Sequence, residues 1–438
     1  MKFIERFVRI GLIAMIALSF YLTYLIWLSP ANRDPGDVKE ITSAELQKEK
    51  ASKAASDIFL PLRLTAINGE EIRESNTENL VKKIQLELGK AKYGEAKLET
   101  FPNEEAFNEK NRLEEGIEMT YVANVPLTVY LDTFQLDIPI SESIQDTNFF
   151  RIQLNYRENK IRFLNWSKRT ILEAPITTSL SAIQEIVENN RSWVPVARDE
   201  MLSSYQYYTT ESIKLPLYSY ISSMRPYTVF RDSFFTDPKN VRSNDGSANL
   251  HLYDGSESMI IQQNQQQVDF RGILKTDDHF NVYPASYEYI RGLGTNYGSL
   301  RLFDQVNRMI DYRIFVEGFP VFGNQGEGRM TAQFSDNGQE HLQNIEIRAN
   351  LSTIQVPIPS EKEVELPPSH DVIEQLYLMG ADADKLQRIL VGYSWKNLQD
   401  TGVVDLEPNW YVQYENKWYL SSDLFSRLQE SEGSSNGF

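Results

Sequence analysis

The sequence predicts an α+β protein, with one N-terminal transmembrane helix followed by a three-domain extracytoplasmic region of mainly antiparallel sheets with packed helices. Three observations predict it. Residues 10–28 read IGLIAMIALSFYLTYLIWL, without a single charge, and at ~1.5 Å per residue such a helix reaches nearly ~30 Å, the thickness of a bilayer's hydrocarbon core. The dipeptides Asp254-Gly255 and Asn337-Gly338 each separate two strand-like runs, the pattern of hairpins. Apolar residues also recur at helical spacing, most clearly at Leu180, Ile183, Ile186 and Val187.

The elements follow in chain order. Lys2, Arg6 and Arg9 precede the apolar run, and Arg33 after it is offset by Asp34 and Asp37, so residues 1–9 form a cytoplasmic tail and the rest lies outside. Phe20, Tyr21, Tyr24 and Trp27 give the far end of the run an interfacial aromatic belt in place of a peptidase site, which reads as an uncleaved anchor. Residues 29–55 are a charged, partly helical stalk. An N-terminal α/β domain is expected over 56–197, opening with a strand at 58–65 that Pro61 pushes toward an edge. Leu80, Ile84, Leu86 and Leu88 mark a helix, 117–130 a strand region, and 149–156 with 160–166 a hairpin around Glu158-Asn159. A helix capped by Thr177 or Thr178 closes this domain. A middle β-rich domain follows over 198–297, with the 250–261 hairpin and a solvated Gln/Asn run at 262–267. The C-terminal α+β domain, 298–438, carries strands at 299–304, 312–317, 330–334 and 345–349. Residues 318–323 turn the chain, Pro367-Pro368-Ser369 caps a helix to Met379, and short strands contain Trp410, Tyr411, Trp418 and Tyr419, read as core residues.

Composition narrows the function. The net charge is -17, and the first nine residues hold +2, so -19 remains on the span and exterior, a poor surface for nucleic acid. There is no cysteine, which removes disulfides and thiolate chemistry and fits a bacterial surface. His251, His279, His341 and His370 are 28, 62 and 29 positions apart, without metal-ligand spacing. No G-x-S-x-G is present, and Gly323, Gly326 and Gly328 precede strand pattern and not a helix, so they read as a hairpin loop. No catalytic site, metal or cofactor is expected.

Four segments carry a family resemblance: MKFIERFVRIGLIAMIALSFYLTYLIW at the start, SDIFLPLRL at 56–64, FVEGFPVFG at 315–323 and LEPNWYVQYENKWY at 406–419. Together, in this order and spacing, they resemble the YycH (WalH) family across essentially the whole chain. The resemblance implies a bitopic regulator from a low-G+C Gram-positive bacterium, acting with a YycI-like protein on the sensor histidine kinase WalK (YycG), whose response regulator controls cell-wall metabolism. It brings no catalytic residues, and it leaves open whether regulation activates or inhibits.

A single-span protein can reach a kinase by packing its helix beside the kinase's helices, where small residues allow close approach. Gly11, Ala14 and Ala17 lie on one side of the early span, and Leu18 and Tyr21 continue the stripe. Ser19 and Thr23 form an i, i+4 polar pair able to bond across helices. These seven residues are the candidate transmembrane interface, against the alternative that they simply face lipid. A homo-oligomer is left open. The competing function is a membrane-tethered cell-wall enzyme or glycan-binding protein, motivated by the aromatic, acidic exterior.

Overall fold

A computed structural model describes residues 53–198, 206–244, 249–294, 297–398 and 401–435, together with Met15. The expected span, 10–28, and nearly all of the stalk lie outside the described residues. Among the described residues no helix is long and apolar enough to cross a membrane. Residues 51–438 form one compact unit, of mixed α+β architecture as expected.

The first sheet contains β1 (Arg63–Asn68), β2 (Glu71–Ser75), β3 (Lys97–Thr100), β4 (Glu115–Pro126), β5 (Asn148–Asn155), β6 (Lys160–Asn165), β7 (Thr170–Pro175), β8 (Val194–Arg198) and β9 (Tyr207–Thr209). Its order is β3-β7-β6-β5-β4-β1-β2-β8-β9, with every pairing antiparallel. The expected strand at 58–65 begins only at Arg63. Before it stands a single helical turn, α1 (Ala55–Ile58). Pro61 has no N–H to give a ladder, and the carbonyls of residues 59–61 are claimed by distant side chains, as described below.

Helices α2 (Glu78–Lys90), α4 (Leu127–Phe134) and α5 (Ser181–Asn189) cover this sheet, while α3 (Glu104–Asn111) lies beside Phe101 and Ile171. Helix α2 buries Leu80, Val81, Ile84 and Leu88, an i, i+1, i+4, i+8 stripe. Leu86, expected on that stripe, falls on the opposite face and is exposed. The region expected as strand to Tyr130 stops at Pro126, after which α4 begins and buries Tyr130 instead. The 158–159 hairpin forms as expected, with Asn159 in the left-handed region at φ 51°.

The second sheet joins the remaining chain. One part runs β12 (Arg242–Asn244), β13 (Asn249–Asp254), β14 (Glu257–Gln262), β15 (Gln267–Lys275), then β20 (Leu342–Asn350), β19 (Arg329–Asp336) and β17 (Met309–Val316), with β16 (Leu300–Val306) on β17. Strand β15, from the 198–297 segment, pairs along its whole length with β20, from the 298–438 segment, so the two segments share one sheet. Helices α6 (Tyr227–Phe234) and α7 (Val282–Arg291) pack on it, and neither was expected. Asn281 caps α7 by accepting from the Tyr283 N–H at 3.0 Å.

The other part consists of β18 (Phe319–Phe322), β23 (Leu386–Leu398), β24 (Val403–Tyr414), β25 (Lys417–Leu420), β11 (Tyr218–Met224) and β21 (Ser352–Ile358). The expected turn at 318–323 therefore contains a strand, which runs parallel to β23. Of the expected short terminal strands, the one through Trp418 and Tyr419 is β25, while the residues from Val404 to Val412 lie in β24, a long strand that forms a hairpin with β23. The middle of β23 is Gly392 because no side chain fits there: a Cβ would come within 2.5 Å of the Phe322 ring, which stacks on Tyr411 at 3.7 Å. Helices α8 (Ser369–Leu378) and α9 (Ser421–Ser435) cover this end. They bury Val372, Ile373, Leu376, Leu424 and Leu428 against Trp410 and Val412. Strands β10 (Ile213–Pro216) and β22 (Glu363–Leu366) form a separate pair beside it.

Candidate functional site

The seven residues expected to form an interface, Gly11, Ala14, Ala17, Leu18, Ser19, Tyr21 and Thr23, all lie outside the described residues. The structure adds a different site that the sequence reading missed: the lead-in segment, residues 53–62, at the start of the compact unit.

Three backbone carbonyls of this segment are held by side chains from elsewhere. The Tyr121 hydroxyl, on β4, donates to Phe59 O at 2.6 Å. Arg301, on β16, donates to Leu60 O at 3.1 Å and to Pro61 O at 2.8 Å. Arg301 is 1% exposed, lies over the Phe315 ring at 4.3 Å, and approaches Glu78 on α2 at 3.8 Å. Burial pulls its guanidinium down to about 10, against the opposing pull of Glu78. Phe59 itself meets Tyr283 and Tyr287 of α7 at 6.2 and 5.9 Å between ring centres. The lead-in segment is thus wedged between the first sheet and the α7 and β16 side of the second.

Upstream, Lys53 is buried. Its ammonium donates to Gly298 O, and the Tyr287 hydroxyl donates to Lys53 O at 2.8 Å. Asp57 and Glu78 each lie 2.7 Å from Lys82, so α1 is tied to α2. A groove of 510 Å³ runs beside these residues, lined by Ser56, Asp57, Leu60, Lys82 and Leu86.

Beyond the lead-in segment, a band of buried charge continues the junction between the two sheets. Glu118 accepts from Tyr207 at 2.9 Å and from Gln153 at 2.8 Å, with Arg151 at 3.5 Å. Asp304 accepts from Trp418 at 2.9 Å and Gln413 at 3.2 Å; burial raises its carboxyl, against the pull of Arg388. Arg388 donates to Val122 O and is itself drawn down to about 10 by burial. A cleft of 250 Å³ opens nearby, walled by Trp193, Phe319 and Trp410 above the Arg63–Glu74 pair. Among the described residues no cluster of three or more His, Asp or Glu is placed to hold a metal. His370 lies against Tyr208 in a tilted arrangement, 4.9 Å between ring centres, and His341 stands exposed, 3.7 Å from Asp278. What the junction does with its polar groups is to fix backbone and orient modules. Of the aromatic residues expected in the core, Trp410 and Tyr411 are buried, while Trp418 and Tyr419 are half-buried.

One signal for the missed site was present. Arg301 is a lone cation in the strand run SLRLFDQV, where a buried charge needs partners. Which carbonyls it would take, 240 residues upstream, no local pattern reveals.

The comparisons with known proteins agree with this architecture. A crystal structure of YycH from Bacillus subtilis matches with a TM-score of 0.68, covering 84% of this chain and 97% of that one. At 16% identity that likeness concerns the fold alone. No curated protein sequence matches. The family model described as YycH protein, N-terminal domain, matches residues 5–192, and that described as YycH protein, C-terminal domain, matches residues 203–424. The chain belongs to the YycH family, whose members regulate the WalK/WalR two-component system.

Proposed function

We propose that this chain is a single-pass, non-enzymatic regulator of the sensor kinase WalK, anchored with its N-terminus in the cytoplasm and acting with a YycI-like protein through both its span and its exterior. The observation that carries the reading is the reach of the family's N-terminal model, which starts at residue 5 and so includes the uncharged run at 10–28. The lead-in junction supports it physically. An exterior that grips its own first residues with Tyr121, Arg301 and Tyr287 passes a displacement of those residues to both sheets. Gly11, Ala14 and Ala17 provide close approach to a neighbouring helix, with Leu18 and Tyr21 along the stripe and Ser19 and Thr23 as polar contacts.

The test is photocrosslinking in native membranes from a reactive residue placed at Gly11 or Ala14. Capture of WalK or of a YycI-like protein is the expected result. Capture of neither, with a correctly inserted chain, assigns the span to anchoring alone. Cleavage or binding of peptidoglycan by the purified full chain favours the alternative of a tethered cell-wall enzyme or glycan-binding protein.

A further inference from the structure

We propose that Lys53 is a releasable latch: seated on Gly298, its side chain holds α1 against the second sheet, and its departure frees residues 53–57 while Ile58, fully buried in the core, and residues 59–61 stay fixed. The inference stands apart from the assignment to WalK regulation, since it concerns only how the compact unit holds its own first residues.

The contacts along the lead-in segment are graded. Residues 59–61 are gripped by Tyr121, by both bonds of Arg301 and by the rings of Tyr283 and Tyr287. Residues 53–57 have less. The Lys53 ammonium reaches Gly298 O, a carbonyl that already accepts from the Leu300 N–H at 3.0 Å, so its loss orphans no acceptor. The remaining ties are the part-buried Tyr287 bond to Lys53 O, the packing of half-buried Ala55 on the core, and the exposed ion pair of Asp57 with Lys82. Helix α1 is a single turn whose amides bond only Ala54 O and Ala55 O, too short to persist alone.

The cation also gains from leaving. A buried ammonium lacks the hydration it recovers in water. Burial lowers Lys53 from 10.5 to about 8, opposed by Asp57 on α1 and Glu78 on α2 and assisted by Lys82 on α2. The other charged groups at the site are Glu288 and Arg291 on α7, which flank Tyr287, and Arg301 on β16, which faces Glu78. A lysine whose pKa is depressed in the closed form binds its proton less tightly there than when released. Closure therefore strengthens as pH rises from about 8 toward 10.5, and is insensitive to pH below that window.

The experiment is hydrogen exchange on the full chain in nanodiscs, following the amides of Asp57, Ile58 and Phe59 after correction for intrinsic rate. Their protection should rise about twenty-fold between pH 7.5 and 9.5, the gain in closed population for a site moving between these two pKa values. Lys53→Met, which has no charge to lose, should show a flat profile. Lys53→Arg, charged throughout this window, should be flat as well and guards against misfolding of the first variant. A flat wild-type profile, or an equal rise in wild type and both variants, overturns the proposal.

Discussion

Replacing Arg301 with alanine probes the junction where it is most heavily committed. The substitution leaves Leu60 O and Pro61 O without donors in a buried place, at about 1–3 kcal/mol each. It also removes a cation over the Phe315 ring, worth about 1–2 kcal/mol when desolvated. Against these losses stands relief from burying the charge. The lowering of its pKa to about 10 corresponds to roughly 3 kcal/mol. With the packing lost around a long buried side chain, the balance is a destabilisation of about 3 kcal/mol for Arg301→Ala. Arg301→Met keeps most of the volume without the charge and should cost about 1 kcal/mol. Urea unfolding of the full chain in nanodiscs, read by tryptophan fluorescence, gives both values. An alanine variant within about 0.5 kcal/mol of wild type, or a methionine variant less stable than the alanine one, would refute the reasoning.

Three further outcomes can be checked. At Gly318, φ is 84° and an added Cβ would stand 1.8 Å from Asn76 O. Gly318→Ala should therefore cost about 2–4 kcal/mol, while Gly326→Ala, at a similar φ but with open space around it, should cost only about 1 kcal/mol by the same unfolding assay. Burial raises the Glu74 carboxyl against the pull of Arg63, so the folded state holds that proton more tightly than the unfolded one. Its contribution is favourable at low pH and is lost as pH rises through the raised pKa. The stability difference between wild type and Glu74→Gln should then shift toward wild type as pH falls from 7 toward the ordinary carboxylate range. In the span, Gly11→Leu and Ala14→Leu should weaken helix association by about 1 kcal/mol, while Ile13→Leu should not, read by crosslinking and kinase output at matched membrane levels.

The parts of the fold legible in the sequence are those set by neighbours in the chain. The hairpin expected at Asp254-Gly255 forms, but Asp254 pairs with Glu257 as the last residue of its strand, so the two loop residues are Gly255, at φ 55°, and Ser256, one place later than the dipeptide implies. Asn337-Gly338 also joins two strands, yet through a longer loop, because Asn337 bonds Asn344 and the Gly338 N–H bonds Asp336 in place of a tight turn. Helix α7 was available to a closer reading, since Asn281 before Val282-Tyr283-Pro284 is a capping pattern with proline in the first turn. The 58–65 run was not. Its β-rich composition is overridden by Arg301 and Tyr121, which arrive from far along the chain and hold its carbonyls out of any ladder. Ser369 shows the same limit: placed as the cap of α8, it instead accepts from the Thr209 N–H at 2.8 Å and so joins that helix to the first sheet.

The central claim is that this chain regulates WalK/WalR signalling through an exterior coupled to its anchor, and WalR phosphorylation in cells lacking the chain tests it most directly. The account predicts that phosphorylation changes on deletion and is restored by the full chain, but not by the exterior secreted without residues 1–29. Unchanged phosphorylation on deletion, or full restoration by the untethered exterior, would contradict it.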